Sequence, residues 1–238
     1  MEFRNHLLSA FEDGDIQALL PSLAEVTLDR GQVLFEPGDP PENVFFPSNA
    51  IVSVVTVMED GSAVETSTIG RESGTPLLNA LAGEPSRTRV FAQIPGAAIR
   101  MPGRALRARA AASPALSALL MRHAASITFQ AEQGVACNIL HEASARLARW
   151  LLMTQDRTGS RSLPLTQEYM AVMTGVQRTT ISAVANQLRA AGLIRYSRGN
   201  IDITDRKGLE AAACECYRAV RAAFDDIEAA SGGGRRPS

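Results

Sequence analysis

The stretch that decides the fold of the second half of the chain runs from Leu165 to Ile203 and reads LTQEYMAVMTGVQRTTISAVANQLRAAGLIRYSRGNIDI. Thr166 is of the type that caps a helix, and the pattern predicts a first helix over 167–173. Gly175 permits the positive φ of a sharp turn, and a second helix is predicted over 177–191. Two helices joined by a short glycine turn form a helix-turn-helix.

The spacing of small and apolar residues supports this prediction. Ala171 lies four residues before Gly175, where a small side chain lets the two helices cross closely. Ile181 and Val184 are expected to point into the core. Beyond the second helix, two alternating segments predict the strands of a wing; they are 193–196 and 201–203.

Polar side chains outside the apolar stripe of the second helix are of the kinds that reach base edges from the major groove. They are Gln177, Arg178, Thr179, Ser182, Asn186 and Arg189. Arg178 is predicted to pair with guanine, and Gln177 or Asn186 with adenine. A second set is expected to contact the DNA backbone: Thr166, Gln167 and Thr180 at helix starts, and Arg198 in the wing. The alternative is an αα-hairpin that serves packing alone.

The distribution of charge agrees with a polyanionic partner for the second half. The chain has 238 residues and a net charge of -1, but residues 1–140 carry 10 Lys and Arg against 15 Asp and Glu, and residues 141–238 carry 14 against 10. The halves therefore differ in sign. Such asymmetry suggests that the second half meets nucleic acid and the first half does not, although an ordinary basic face would look the same.

Short strand-like segments alternate with turns from residue 23 to residue 101. Residues 51–57 are almost wholly β-branched, and the alternation resumes at Val64 after Glu59-Asp60-Gly61, which is a hairpin signal. Further strands are expected over 33–35, 44–46, 89–93 and 97–101. Several short strands at this spacing favour a β-sandwich or barrel.

A long helix is expected to follow the strands, from Pro114 to about Asn138, with Ser113 as its N-cap. A helix of this length usually has a partner. One stripe of it has alternating spacings of four and three, which predicts the seam of a homodimer: Leu120, Ala124, Ile127, Ala131 and Gly134. The alternative is that this stripe packs on the β-domain of its own chain.

The chain resembles the Crp/Fnr family of bacterial transcription regulators from about Leu7 to Phe224. The resemblance rests on the order of a β-roll, a long helix and a winged helix. It also rests on two motifs of the winged helix, Leu165-Thr166-Gln167-Glu168 and Gly192-Leu193-Ile194. The resemblance implies an α+β chain with a jelly-roll-like N-terminal β-roll, a long dimerisation helix and a C-terminal winged helix-turn-helix. It also implies a homodimer on a near-palindromic operator, with RNA polymerase as a further candidate partner. The expected divisions are 1–112, 113–139, 140–230 and a mobile tail, 231–238.

The start of the recognition helix departs from the better known members of that family. Those members carry Ser-Arg-Glu-Thr or a similar run, and the corresponding residues here are Gln177-Arg178-Thr179-Thr180. The arginine is kept, but Thr179 replaces the glutamate that accepts from cytosine. The operator sequence of those relatives therefore does not carry over.

The first domain holds residues similar to the effector motif of the cyclic-nucleotide-binding members, which is Gly-Glu followed by Arg-Ser or Arg-Thr. The similar residues are Gly70, Glu72, Arg87 and Thr88. The resemblance implies that the glutamate takes the ribose hydroxyl and the arginine pairs with the phosphate. However, Arg71 intervenes between the glycine and the glutamate, and Ala131-Glu132 stands where the cyclic-AMP receptor supplies hydroxyls. A cyclic nucleotide, another small anionic effector, an effector of unknown kind or none therefore remain open.

An enzyme is not expected, because Gly70-Arg71-Glu72-Ser73-Gly74 is no nucleophile elbow and the sequence has no phosphate-binding P-loop. A metal centre is not expected either. Cys137, Cys214 and Cys216 lack the spacing of a zinc site, and the last two should point in different directions from one helix. The remaining alternative is an effector-binding protein whose winged helix serves protein contacts. No apolar run approaches the roughly 20 residues of a membrane span, so the cytoplasm is the expected location.

Overall fold

The computed structural model describes residues 3–197 and 199–232. Two short helices, α1 (His6–Ser9) and α2 (Asp13–Leu19), and a 3-10 turn (Leu20–Ser22) precede the first strand. Among the described residues, no helix combines the length and the apolar content that crossing a membrane requires.

In the part of the first domain that the structure describes, seven strands form two antiparallel sheets. Their bounds are β1 (Ala24–Leu28), β2 (Val33–Phe35), β3 (Asn43–Pro47), β4 (Ile51–Val57), β5 (Ala63–Ile69), β6 (Arg89–Ile94) and β7 (Gly96–Pro102). One sheet has the order β1-β7-β3 and the other β2-β6-β4-β5. Buried side chains of both sheets, such as Phe45 and Val52, share one apolar cluster, so the sheets pack face to face as a β-roll. A six-residue helix that the sequence did not predict, α3 (Leu77–Ala82), lies between β5 and β6.

A short helix, α4 (Gly103–Ala112), leads into the long helix α5 (Pro114–Leu140). The hydroxyl of Ser113 accepts from the backbone N–H of Leu116 at 3.2 Å, and Pro114 occupies the first helical position, so the predicted start is confirmed. The 27 residues of α5 give it a length of about 40 Å.

The predicted dimer seam is only partly on the free side of α5. Leu120 is 3% exposed and belongs to the core of its own chain, and Ile127 packs against both core clusters. The assignment of Leu120 to a seam between chains was therefore wrong, because α5 is apolar on two sides and the β-roll takes the side that carries this residue. Ile127 is half-buried, and its place in a seam stays a prediction. Ala131 is exposed, and Ala124 and Gly134 are half-buried.

The side of α5 that stays exposed lies next to the predicted stripe, because most of its residues follow a predicted seam residue by one position. Met121 is 67% exposed, Val135 62% and Ile139 75%. Ala125, Thr128 and Glu132 are also exposed and fall between them at spacings of three and four. We call these six residues the outer stripe.

The second domain follows α5 directly. Its helices are α6 (Ala143–Thr158), α7 (Gln167–Thr174), α8 (Arg178–Ala190), α9 (Arg206–Ala212) and α10 (Cys216–Gly232), and its strands are β8 (Ser162–Leu163), β9 (Ile194–Ser197) and β10 (Asn200–Ile203). The strands form one antiparallel sheet in the order β8-β10-β9. The predicted two-stranded wing thus gains a third strand, which leads into the helix-turn-helix.

Helix α10 returns along α5 in the antiparallel direction. The Ser126 hydroxyl donates to the carbonyl oxygen of Ala223 at 2.8 Å, and the Gln133 amide donates to the sulfur of Cys216 at 3.0 Å. The rings of His123 and Phe224 meet edge to face at 5.8 Å. The second domain therefore contacts the middle of α5 as well as the C-terminal end, where the chain passes from α5 into α6.

The cysteines converge at the end of α5. Cys137 lies in its last turns, Cys214 lies in the loop before α10, and Cys216 begins α10. The sulfurs of Cys137 and Cys214 are 3.5 Å apart, and the sulfur of Cys216 is 3.5 Å from His141 Nδ1. The prediction that Cys214 and Cys216 point in different directions from one helix was wrong, because Cys214 precedes the helix and the ligand atoms of both cysteines lie within 4.8 Å of each other and of Cys137.

Candidate nucleic-acid interface and effector cavity

The helix-turn-helix has the predicted local geometry. Thr166 caps α7, since its hydroxyl accepts from the backbone N–H of Tyr169 at 3.2 Å. Gly175 ends α7 with φ +62°, a conformation that glycine adopts without strain. The N–H of Val176 donates to the carbonyl oxygen of Ala171 at 3.1 Å, which closes the turn. The chain then enters α8 across the short connection that defines this motif.

Helix α8 buries one side and exposes the other. Ile181, Val184, Ala185 and Leu188 are buried, which confirms the two core positions predicted from the sequence. Six of the predicted contact residues are exposed: Gln177, Arg178, Thr179, Thr180, Asn186 and Arg189. With Gln177 as its N-cap, α8 presents its first turn and this polar side to solvent.

The middle of the exposed side carries residues that the sequence reasoning missed. On a helix of 3.6 residues per turn, Thr179, Ala183 and Asn186 lie in line opposite the buried stripe. Ala183 and Gln187 are both exposed, and a methyl group is suited to contact with the methyl of thymine. A search for polar donors alone overlooks alanine, although the helical period places Ala183 at the centre of this surface.

Ser182 was predicted to contact base edges, but its hydroxyl is bonded within the protein. It is half-buried, and its hydroxyl lies within donating distance of Gln167 Oε1, at 2.8 Å, and of the carbonyl oxygen of Arg178, at 2.9 Å. The contact joins the two helices, so Ser182 holds Gln167 at the start of α7. In the wing, Arg195 donates to Asp202 at 2.9 Å. Arg198 lies outside the described residues.

The predicted effector residues are not brought together. Arg157 of α6 donates from Nε to Glu72 Oε1 at 2.7 Å and from Nη2 to Gln130 Oε1 at 2.6 Å. The two charged side chains are only 6% and 12% exposed. A Cβ at Gly70 would lie 2.5 Å from the Cβ of Arg157, so glycine is needed there for the approach of α6. Gly70 and Glu72 therefore hold the second domain and were wrongly assigned to an effector site.

A second polar contact joins the same two domains. Glu65 of β5 accepts from the hydroxyls of Ser53 and Thr68 at 2.6 and 2.8 Å, and from the indole N–H of Trp150 at 3.1 Å. Burial raises the pKa of Glu65, and these hydrogen bonds oppose the rise. Helix α7 also packs against β5. The winged helix is thus fixed on the strands of the β-roll.

The other two predicted effector residues lie elsewhere. Arg87 is exposed, and Thr88 is half-buried in the wall of a cavity of about 200 Å³ between the β-roll and α5. Most of the wall is apolar, including Val54, Ile69, Leu77, Val90, Leu120 and Ile127. No lysine or arginine occurs among the described residues that line it. The cavity therefore offers a phosphate no charged side chain with which to pair.

His123 is the one titratable residue of that wall, and it is neutral at pH 7. Its Nε2 lies 2.8 Å from the Ser73 hydroxyl, and burial lowers its pKa to about 4, against a smaller opposing effect of Glu72. Because the folded protein keeps His123 uncharged, it supplies a hydrogen-bonding ring to the cavity and no positive charge.

Comparison with known proteins agrees with both halves of this geometry. A model of the cyclic nucleotide-binding domain matches residues 25–113, and a model of the Crp-like helix-turn-helix domain matches residues 145–212. A global nitrogen regulator of Synechocystis is 24% identical over 194 residues, covering 78% of this chain and 86% of its own length. A CRP-like cAMP-activated global transcriptional regulator of Mycobacterium tuberculosis is 24% identical over 213 residues, 87% of this chain and 95% of its own.

Among solved structures, FixK2 from Bradyrhizobium japonicum superposes with a TM-score of 0.70 at 17% identity, over 81% of this chain and 98% of its own. Fold, domain order and helix-turn-helix define a two-domain DNA-binding transcription regulator. The chain belongs to the Crp/Fnr family. This is a family of regulators and not of enzymes, which agrees with the expectation drawn from the sequence.

Proposed function

We propose that this regulator binds a near-palindromic operator as a homodimer and reads base edges with the exposed side of α8. The observation that carries the proposal is that Thr179, Ala183 and Asn186 lie exposed on the side of α8 opposite its buried stripe, and that Arg178 is exposed in the first turn beside them. A free polar helix face with an arginine in its first turn is what major-groove recognition requires. Gln167, Thr166 and Thr180 would contact phosphates beside it. We propose the cytoplasm as the location of the protein, because the DNA and the RNA polymerase of a bacterial cell are found there.

The dimer is proposed to form through the outer stripe of α5. Its apolar residues Met121, Val135 and Ile139 are exposed to solvent in the single chain. Packing of two copies about a two-fold axis would bury them. Ala124, Ala131 and Gly134 would flank this contact at its edge. Two recognition helices on one side of such a dimer would meet successive major grooves of one duplex.

The effector is proposed to be a small, uncharged and largely apolar molecule. The cavity against α5 has apolar walls and neutral His123, and its volume of about 200 Å³ is below the roughly 300–1,000 Å³ of most ligand pockets. Such a site suits neither the phosphate nor the size of a cyclic nucleotide.

We expect Arg178→Ala to weaken operator binding about 5- to 150-fold, since the loss of one bidentate base contact costs about 1–3 kcal/mol. Binding to scrambled duplexes should change much less. The measurement is a fluorescence anisotropy titration on a duplex that the wild-type protein has selected from a random pool, and on a scrambled duplex of equal length.

The matched control for that experiment is Arg100→Ala, which removes an exposed arginine of the β-roll and should leave both affinities unchanged. Equal losses on the two duplexes for Arg178→Ala would show that this arginine contacts only phosphates. Failure of the wild-type protein to select any duplex would favour the alternative in which the winged helix contacts protein.

We expect millimolar cyclic AMP to change the Tm of the wild-type protein by less than about 1 °C, because a ligand that does not bind the folded state cannot stabilise it. Differential scanning fluorimetry measures this shift, with Arg87→Ala as the comparison. A stabilisation of several degrees that disappears in Arg87→Ala would contradict the uncharged effector and restore the nucleotide assignment of that arginine.

A further inference from the structure

Four side chains of metal-ligand type lie together where α5 ends and α10 begins. The ligand atoms of Cys137, His141, Cys214 and Cys216 all lie within 4.8 Å of one another. They are three sulfurs and one imidazole nitrogen, and all three cysteines of the chain are among them. The cysteines are buried and His141 is half-buried. This group plays no part in the DNA-binding surface or in the effector cavity.

Two of the six separations between the ligand atoms are close to those of a tetrahedral metal site. Bonds of about 2.3 Å to sulfur and about 2.0 Å to nitrogen place two sulfurs about 3.8 Å apart, and a sulfur and a nitrogen about 3.5 Å apart, around tetrahedral zinc. The separations here are 3.5 Å from Cys137 Sγ to Cys214 Sγ and 3.5 Å from Cys216 Sγ to His141 Nδ1. A disulfide needs a sulfur separation of about 2.05 Å, and it would leave the third thiol and the histidine without a role.

The neighbours of the group support the same chemistry. Glu215 Oε2 lies 3.2 Å from His141 Nε2, and a carboxylate on the far nitrogen of a histidine fixes its ring so that the near nitrogen binds a metal. In this arrangement Nδ1 is the atom that faces the sulfurs. The Gln133 amide donates to Cys216 Sγ at 3.0 Å, as it would to a thiolate.

We propose that Cys137, His141, Cys214 and Cys216 bind one Zn²⁺ ion as a closed structural site. Four protein ligands of the Cys3His type leave no open position for a substrate. Binding releases the thiol protons, and the three thiolates and the neutral imidazole bind the ion without any oxidation. The ion ties the first turn of α10 to the last turn of α5. His141 is the C-cap of α5, and α6 begins two residues later, so the ion also fixes the joint between the long helix and the second domain.

The test begins with the wild-type protein, expressed with zinc and purified without chelators. Elemental mass spectrometry should find about one zinc ion per chain. Replacement of the zinc by Co²⁺ should give the visible bands of tetrahedral cobalt and the near-ultraviolet charge-transfer band of thiolate ligands. The thiols should react slowly with an alkylating reagent until a chelator removes the metal. The chelator should also lower the Tm by several degrees.

Two variants locate the site. Cys137→Ser and His141→Asn should each retain less than one fifth of the wild-type zinc, and the chelator should no longer change their Tm. His6→Asn, which replaces a histidine of α1 far from the cysteines in the sequence, is the matched control and should keep the full metal content. Should Cys137→Ser fail to fold, His141→Asn and the cobalt spectrum of the wild-type protein decide the question.

Three outcomes would overturn the proposal. One is wild-type protein that holds less than about a tenth of an equivalent of zinc and gives no cobalt spectrum. Another is a mass two units lower under non-reducing conditions, which would show a disulfide between two of the three cysteines. The third is bound iron with sulfide, which would assign the same ligands to a cluster. None of these measurements depends on DNA, so the zinc site can fail while the proposed function stands, and the reverse is equally possible.

Discussion

A Val135→Glu variant should be a monomer in solution, because it adds a carboxylate to the outer stripe one turn from Glu132, which already carries one. In a two-fold contact this charge meets its own mate, and a buried, unpaired charge costs several kcal/mol. Since a dimer gains its operator affinity from two linked half-site contacts, the monomer should bind the full operator about 10²- to 10⁴-fold more weakly. Sedimentation equilibrium measures the assembly, and anisotropy titrations measure the affinity.

Val57→Glu is the control for this experiment. Val57 is 44% exposed at the end of β4, so the same substitution there tests whether an added glutamate by itself disturbs the protein. It should leave the dimer and the operator affinity unchanged. A folded Val135→Glu protein that is still dimeric at low micromolar concentration would mean that the outer stripe is not the dimer contact, and the half-buried residues Ala124 and Gly134 would then be tested instead.

The second large effect is expected for Arg157→Ala, which should lower the free energy of unfolding by about 3–5 kcal/mol. The substitution leaves the Glu72 carboxylate in a site that is nearly closed to water, and Gln130 loses its donor as well. Urea denaturation at pH 7, followed by far-ultraviolet circular dichroism, measures the change.

The control is Arg89→Ala, which breaks a half-exposed ion pair with Glu36 and should cost no more than about 1 kcal/mol. The double variant Arg157→Ala with Glu72→Gln removes both charges and should recover part of the loss, because no buried carboxylate remains. Equal losses for Arg157→Ala and Arg89→Ala would show that water reaches the contact between the domains.

Features that depend on residues close together in the chain are predicted well from the sequence. The N-caps Ser113 and Thr166, the turn at Gly175 and the buried side of α8 follow from the properties of residues within one or two helical turns, and the structure confirms them. The family resemblance rests on the same local patterns, and the matches to both domains confirm it.

What the sequence misses depends on contacts between distant residues. Glu72 and Arg157 are 85 positions apart, and Cys137 and Cys214 are 77 apart, so no local spacing reveals either pair. The error at Leu120 has another cause. Helix α5 has two apolar stripes of similar period, and only the position of the β-roll decides which of them stays exposed.

The Arg157 contact also bears on whether the parts of this chain are interchangeable. A modular protein can exchange one domain for that of a relative, because the contacts between its domains are few and tolerant. Here Glu72 and Gln130 both accept hydrogen bonds from the guanidinium of Arg157 in α6. Gly70 has no side chain that would collide with the Cβ and Cγ of Arg157. A chimera that joins this β-roll to a foreign winged helix would inherit a buried acid without its guanidinium partner. Exchange of the second domain is therefore expected to require a compensating substitution in the β-roll, such as Glu72→Gln.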